Sequence, residues 1–585
     1  MRRTLILIAC GCAALVIVCG CDNKLSALKR AARLAKKQRH SEAIEAYKRY
    51  IELVGNSSET AYERAEAHYQ IGRLYTYELR EWALGRRAFE QAVALRPDYA
   101  DPQIHLGIMY MSVIPKRPAQ AEEALRRGLE ARPEITEYAV VPGSVHRPRV
   151  ILADLARSRG QLNEAIRQLY VYEHYSDNDA DDWHELGRLF AAEQEHTKAL
   201  FYLKRAFEAL GESERGMPRY MGIRTGLIDA YAKNGSLAEA QALLDESLDV
   251  LAQIEVYYRS LADWQRDEAP GLREFILDTR RELFRQASVI HAARGEYGEA
   301  LDATRRLQLL MPQSDDLLLD AASLCAMKGD FERAREELDK FRRRKPDDSR
   351  VLQTEASIFY EEHNYEASLK AIEAYAAASS KPVSPHALRA IALVRAGLAD
   401  EGIAQLEGLC RQNPNFTQLQ VRMAEALTAA DRPRQALWWL GRAIETGVVP
   451  AYLFQANPTF RGLLDDPGFP ELLRKLRYRI SLRQRVHEAE DLVYRGDTSR
   501  GLASLERLRA QNADIAYTTF ALARAHAFIG EPDKAFPLLL ECAKAGLFNP
   551  SALRKDKSLT ELRDDPRFTK VLEAIEQPWP PSEGQ

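Results

Sequence analysis

The chain has 585 residues, 29% of them charged and 46% hydrophobic, with a net charge of -3, which allows several domains or one long array and excludes a disordered chain. Arg2 and Arg3 contribute +2 of that charge, so the remainder from Cys21 carries -5, without the basic excess of a nucleic-acid binder. Four of seven cysteines (Cys10, Cys12, Cys19, Cys21) crowd the first segment. Cys325, Cys410 and Cys542 stand far apart with no CxxC pair, so neither a disulfide framework nor a zinc site is indicated and buried thiols are expected.

Arg2 and Arg3 precede an apolar run from Leu5 to Val18, too short to span a bilayer comfortably, followed by small residues and then Asp22 and Asn23. This is the pattern of a secretory signal over residues 1-20. Val18, Cys19, Gly20 and Cys21 resemble the bacterial lipobox, with Cys19 where Ala or Ser is more usual. The resemblance implies lipidation of Cys21 as the mature N-terminus and a chain tethered in the bacterial cell envelope, at the inner or outer membrane. Asp22 would favour the inner membrane under enterobacteria-like sorting. An uncleaved anchor and a simple secreted protein are the alternatives.

Helix-pair units then follow in residues 21-133. The first carries Ala43, Tyr47 and Tyr50, the second Gly72, Tyr75, Phe89, Ala92 and Pro97, and the third Gly107, Tyr110, Ala121, Leu125 and Pro133, with an enlarged turn around Pro115 and Pro118. Residues 134-150, with Pro142, Gly143 and Pro148, cannot be continuous helix. The array resumes in residues 151-247 at Ala165 and Ala199, 34 residues apart, with a further unit around Tyr231, Gly235, Ala240 and Leu244. From Ala240 to Ala300 the interval is 60, which predicts an extra helix or a long extended one over 248-281. Its aromatics, Tyr257, Tyr258, Trp264 and Phe275, are expected in the core.

Residues 282-445 repeat without a slip. Ala300, Ala334, Ser368, Gly402 and Ala436 recur every 34 residues; twelve before each stands another small residue (Ser288, Ala322, Ala356, Ala390, Ala424), and seven after each a larger or aliphatic one (Leu307, Phe341, Tyr375, Leu409, Ala443). Between them lie Gly295, Gly329, His363, Gly397 and Asp431, and Pro312, Pro346 and Pro414 close three units. The reading is helix, turn, helix, stop: helices approach closely where both are small, and stacked units bury the faces each leaves exposed. This resembles the tetratricopeptide repeat, whose fullest single copy here is Trp183, Leu186, Gly187, Phe190, Ala199, Leu203 and Ala206. The resemblance implies an all-α, right-handed superhelical solenoid of antiparallel helix pairs, about thirteen repeats in all.

A second regularity has a period of 99. Ala436, Gly447, Leu463, Asp466, Pro467, Phe469 and Leu473 are matched by Ala535, Gly546, Leu562, Asp565, Pro566, Phe568 and Leu572. Residues 446-480 thus read as capping helices after Asp-Asp-Pro, and 481-577 as further repeats ending in the duplicated cap. Residues 578-585, rich in proline, read as a disordered tail.

No phosphate-binding GxxxxGK[ST], no GxSxG and no HExxH is present, and His184-Glu185 lacks a second histidine. No catalytic residue, cofactor or metal is expected, and the run Lys340, Arg342, Arg343, Arg344, Lys345 suits the negative end of a helix. In the family resembled, the first helix of each pair lines a groove. That places candidate contacts at His184, Arg188, Asp229, Lys233, Ser323, Met327, Gln353, Ser357, Tyr360, Arg422 and Glu425; a lysine and asparagine clamp for a peptide C-terminus is absent. The expected function is a membrane-tethered, non-enzymatic scaffold binding proteins or peptides, with no nucleic acid and no small-molecule substrate. Recognition of cell-wall glycan is the alternative, and a hydrolase or transferase would lack room for its domain.

Overall fold

The computed structural model describes residues 24-575 except 113-115, 142-143, 176-178, 194, 269, 379-382, 414-415, 447-457, 464, 513-515 and 546-549. The signal segment, Cys21, Pro115, Pro142, Gly143, Pro414, Gly447, Gly546, the side chain of Trp264 and the tail 578-585 fall outside the described residues. Two compact units succeed one another along the chain, Met1-Asp177 and Asn178-Gln585.

The first unit holds four antiparallel pairs: α1 (24-36) with α2 (His40-Val54), α3 (Ala61-Arg73) with α4 (Trp82-Leu95), α5 (Ala100-Ser112) with α6 (Pro118-Ala131), and α7 (Pro148-Ser158) with α8 (Leu162-Tyr175). Between α6 and α7 an antiparallel hairpin of β1 (Tyr138-Val141) and β2 (Ser144-His146) replaces helix, as the prolines of 134-150 require.

In the second unit α9 (Asp179-Ala192) pairs with α10 (His196-Ala209) and α11 (Met221-Lys233) with α12 (Leu237-Ser260). After the short α13 (Asp263-Glu268) come α14 (Pro270-Ala293) with α15 (Tyr297-Leu310), α16 (Asp316-Lys328) with α17 (Phe331-Arg344), and α18 (Arg350-Glu361) with α19 (Tyr365-Ala378). The array continues as α20 (Val383-Arg395) with α21 (Ala399-Gln412), α22 (Thr417-Ala429) with α23 (Pro433-Thr446), α24 (Gly468-Tyr494) with α25 (Thr498-Gln511), and α26 (Ala516-Phe528) with α27 (Pro532-Lys544). The short α28 (Pro550-Lys555) and α29 (Pro566-Ile575) end it. Thirteen pairs are therefore present among the described residues, an all-α solenoid architecture apart from the one hairpin.

The spacing of 34 works through the pair crossing. Ala300, Ala334, Ser368 and Ala436 are fully buried, as are Ala322, Ala390 and Ala424 opposite them. At Gly402 the helices come so close that a Cβ would lie 2.4 Å from the Ala390 carbonyl oxygen and 2.7 Å from Val394 Cγ2. Where a hydroxyl replaces the methyl it finds a partner across the crossing: Ser368 Oγ donates to the Ala356 carbonyl at 2.9 Å, and Ser288 Oγ lies 2.7 Å from Thr304 Oγ1. Phe341, without exposed surface, fills the groove to the next pair, a burial worth about 1.5–3 kcal/mol.

The turns are left-handed. Gly295, Gly329 and Gly397 have φ of +79°, +87° and +90°, and His363 and Asp431 adopt +62° and +57° at the same step. Each closes the first helix with a pair of backbone bonds, for example Gly329 N–H to Ala326 and Asp330 N–H to Cys325.

The 60-residue interval is filled by lengthening both neighbours: α12 and α14 each run 24 residues and pack on one another, with α13 joining them. A two-helix arm buries one face of each helix only. Tyr257 is accordingly 60% exposed and Val256 67%, which corrects the expectation of a core position for Tyr257; Tyr258 and Phe275 are half-buried. Cys325, Cys410 and Cys542 are buried free thiols.

The 99-residue duplication is structural as well. Asp466 Oδ1 accepts from Gly468 N–H at 2.8 Å and Asp565 Oδ1 from Arg567 N–H at 2.9 Å, in matching turns. Leu463 and Phe469 join the core of α22 and α23, and Leu562 and Phe568 are buried likewise. The two copies differ in the length of the helix after the turn. The first helix does not stop at residue 480 but continues for 27 residues into the next pair as α24, whereas α29 ends after ten. The first copy is a junction.

Asp431→Gly should raise stability by about 0.5–1 kcal/mol by relieving a left-handed non-glycine residue, while Gly402→Ala should lower it by about 1–3 kcal/mol. Thermal denaturation of the full chain reads both, and shifts of the same sign would refute these roles for the turn and the crossing.

Candidate functional site

The first helices carry the expected candidates in rows of small polar groupings. Arg188 Nε donates to Glu185 at 2.9 Å, and Arg422 to Glu425 at 2.8 Å. Lys233 lies 2.8 Å from Asp229, which is also 3.7 Å from Arg285 on α14, so Asp229 and Lys233 join a chain of charges between two first helices. On α18 Ser357 Oγ donates to the Gln353 carbonyl at 3.1 Å, while Tyr360 OH accepts from Arg395 Nε of α20 at 3.3 Å. His184 stands beside Gly222, where a Cβ would come 3.3 Å from its Cε1. Ser323 is half-buried on α16 and Met327 is 48% exposed. The candidates thus fall into separate patches and do not converge on one cavity. The cations Arg188, Lys233 and Arg422 are 43%, 44% and 50% exposed while Glu185 and Glu425 are largely covered, so the pairs turn their basic ends to solvent.

A shallow cleft of about 480 Å³ opens between α19 and α21, with His386 and Arg389 of α20 on its wall. Arg389 lies 3.6 Å from Glu373 and 3.7 Å from Glu401. Among the described residues no group of histidine, cysteine and carboxylates is placed to hold a metal ion. Three cations of the basic run at the end of α17 are paired locally, Lys340 with Glu337, Arg342 with Asp339 and Glu355, and Arg344 with Asp315.

The densest polar chemistry of the second unit lies where its last pairs pack back onto its first. Glu490 of α24, 1% exposed, sits 3.0 Å from Lys198 of α10 and 2.7 Å from Arg524 of α26, both buried. Asp491 takes the Tyr202 hydroxyl at 3.1 Å and the Arg205 guanidinium at 2.9 Å, with Arg495 at 3.2 Å. Trp183 is covered on its faces by those two guanidinium groups, at 4.1 and 4.0 Å. Lys557 reaches Glu193 at 2.9 Å. Burial drives the Glu490 pKa up, but Arg524, Lys198 and His487 outweigh it and hold the carboxyl at about 2; burial pushes His487 down to about 3, so its ring is neutral.

Apart from Trp183, which the repeat pattern already marks, these seam residues are inconspicuous in the sequence, because a charged residue on an amphipathic helix reads as solvated. The available signal was α26, which from Thr518 to Phe528 is buried on all sides. Such a helix needs neighbours beyond its own array.

Residues 291–358 match the family model described as Tetratricopeptide repeat, so that stretch carries tetratricopeptide repeats. Its fold is similar to solved structures of a tetratricopeptide repeat protein from Parabacteroides merdae ATCC 43184 (15% identity, 51% of this chain and 99% of that one, TM-score 0.34). Others are yeast Tom70 (17%, 87% and 99%, TM-score 0.27) and the APC/C hetero-tetramer Cut9-Hcn1 (10%, 89% and 99%, TM-score 0.36). No curated protein matches the sequence.

Glu490→Ala should cost about 3–5 kcal/mol by taking the carboxylate from buried Lys198 and leaving buried Arg524 only Glu195 at 3.9 Å, against under about 1 kcal/mol for Glu541→Ala, which frees only the exposed Arg509. The depressed pKa makes Glu490's contribution complete above its ordinary 4.5 and lost as pH falls through about 2. Denaturation between those values should show falling stability, with a flatter slope in Glu490→Gln.

Proposed function

We propose that this chain of tetratricopeptide repeats is a non-catalytic protein-interaction scaffold of the bacterial cell envelope, tethered through a lipid on Cys21, and that it holds extended segments of partner proteins along its first-helix faces. The observation that carries the reading is the row of first-helix cations Arg188, Lys233 and Arg422, each about half exposed, on a framework of buried crossings. An extended polypeptide offers the donors, acceptors and side chains that such spaced patches can take up one after another. The tether follows from the run Leu5 to Val18 and the Val18-Cys19-Gly20-Cys21 sequence.

Two measurements test the parts separately. Palmitate labelling in intact bacterial cells should mark the native chain and not Cys21→Ser, which should also leave the membrane fraction; label retained by the variant sinks the tether. A photo-crosslinking side chain at Met327 or Arg422 should capture envelope proteins, while one at Lys370, exposed on the second helix α19, should not. Equal capture at all three positions, or none at any, would remove the first-helix faces as the binding surface. Sedimentation of the native chain with purified peptidoglycan would instead favour glycan recognition.

A further inference from the structure

The first half of α24 turns a strongly basic face to solvent. Between Arg474 and Arg485 the helix carries six cations, Arg474, Lys475, Arg477, Arg479, Arg483 and Arg485, and no acidic residue. It is amphipathic over this stretch: Leu472, Leu476, Leu482 and Val486 are buried, the first two in the core of α22 and α23. Arg474, Arg477, Tyr478, Ser481 and Arg485 follow one another at steps of three and four and so form one ridge on the solvent side. Arg474 is 75% exposed, Tyr478 and Ile480 are 47% exposed, and Lys475 and Arg477 are exposed beside them.

Elsewhere in the array comparable arginines are held by two carboxylates, Arg350 by Asp348 and Asp316, and Arg567 by Asp565 and Asp533. On this ridge only Arg474 has a carboxylate, that of Glu471, while Arg485 lies over the Tyr478 ring at 6.0 Å. The side chains of Lys475 and Arg477 make no ion pair and no hydrogen bond among the described residues. The Tyr478 hydroxyl donates to Asn512 at the end of α25, which fixes the ring at the surface. Ile480 adds an aliphatic side chain in water on the flank of the ridge.

We propose that this face of α24 docks on a membrane surface bearing anionic phospholipid, with the cations of the ridge at the headgroups and Tyr478 and Ile480 entering the boundary beneath them. Cations with no carboxylate of their own call for an anionic partner, and each one brought to such a surface raises partitioning about fivefold. The apolar side chains decide for a membrane: the headgroup boundary takes up aromatic and aliphatic groups beside its charges, and a polyanion dissolved in water offers Ile480 nothing to be buried in. The contact is separate from the lipid on Cys21 and stands without it.

Co-sedimentation of the full chain carrying Cys21→Ser, which removes any lipid tether, tests this with vesicles of phosphatidylcholine alone and of equal parts phosphatidylcholine and phosphatidylglycerol. Adding Arg474→Gln, Lys475→Gln and Arg477→Gln should weaken binding to the anionic vesicles at least about tenfold, and raised salt should shrink the difference. Arg477→Gln alone, with the least disturbance of the fold, should lose about fivefold. Parent and variants share the apolar N-terminal run, so their ratio reports the face. A nitroxide-labelled lipid then locates the contact: a fluorescent amino acid at Ile480 should be quenched on the vesicle, and one at Lys370, exposed on α19, should not. Unchanged binding of both variants, or equal quenching at the two positions, would overturn the proposal. So would tight binding of soluble polyphosphate with no quenching at Ile480, which would make the face a site for a dissolved polyanion. Palmitate labelling and envelope crosslinking can fail while the vesicle result stands, and the reverse.

Discussion

Everything in this architecture depends on how closely two helices can cross. A pair whose axes meet over alanine, serine or glycine brings backbone within reach of side chain, as at Gly402 and Val394, or lets a serine hydroxyl answer a carbonyl, as at Ser368 and Ala356. That contact fixes the angle within a pair, and the angle decides which face is left for the next pair. The larger residues seven positions on, Phe341 and Tyr375 among them, only fit if the crossing is kept. Packing at interior density tolerates little variation, which is why the interval holds at 34 through five successive turns.

Where the interval breaks, the physics changes in a recognisable way. The 60-residue gap lengthens α12 and α14 into an arm with one buried face, and Tyr257 stays in water. The 99-residue duplication inserts a turn capped by Asp466, matched by the turn at Asp565, and the helix after the first runs on into the next pair, so that module serves as a joint.

The regular part of the fold was legible because small residues at fixed intervals are a local pattern that survives reading in one dimension. The break at 134-150 was legible as an absence of helix, through Pro142, Gly143 and Pro148, but its docking was not: Tyr69, Asp101 and Tyr138 share no period, and only the folded unit brings them together. The seam was hidden more thoroughly. Lys198, Glu490 and Arg524 occupy positions where helical amphipathicity predicts a wet face, and their burial follows from a contact spanning nearly 290 residues. The first-helix candidates stood on the helices expected, but their pairing with one another, Asp229 with Lys233 and Arg422 with Glu425, depends on rotamers that spacing does not encode.

The seam also changes how the second unit comes apart. In a linear stack each repeat is held by its neighbours, and the outermost two, with one neighbour each, fray first and let unfolding travel inward. With Asp491 and Glu490 bonded to Tyr202, Arg205 and Lys198, the row of interfaces becomes a circuit, and the first pair of the unit gains a further neighbour in the next-to-last. Breaking a single interface then opens the circuit without freeing a repeat, and a second break is needed before any segment leaves. Such an assembly unfolds late and at once, where the same repeats in a line would peel.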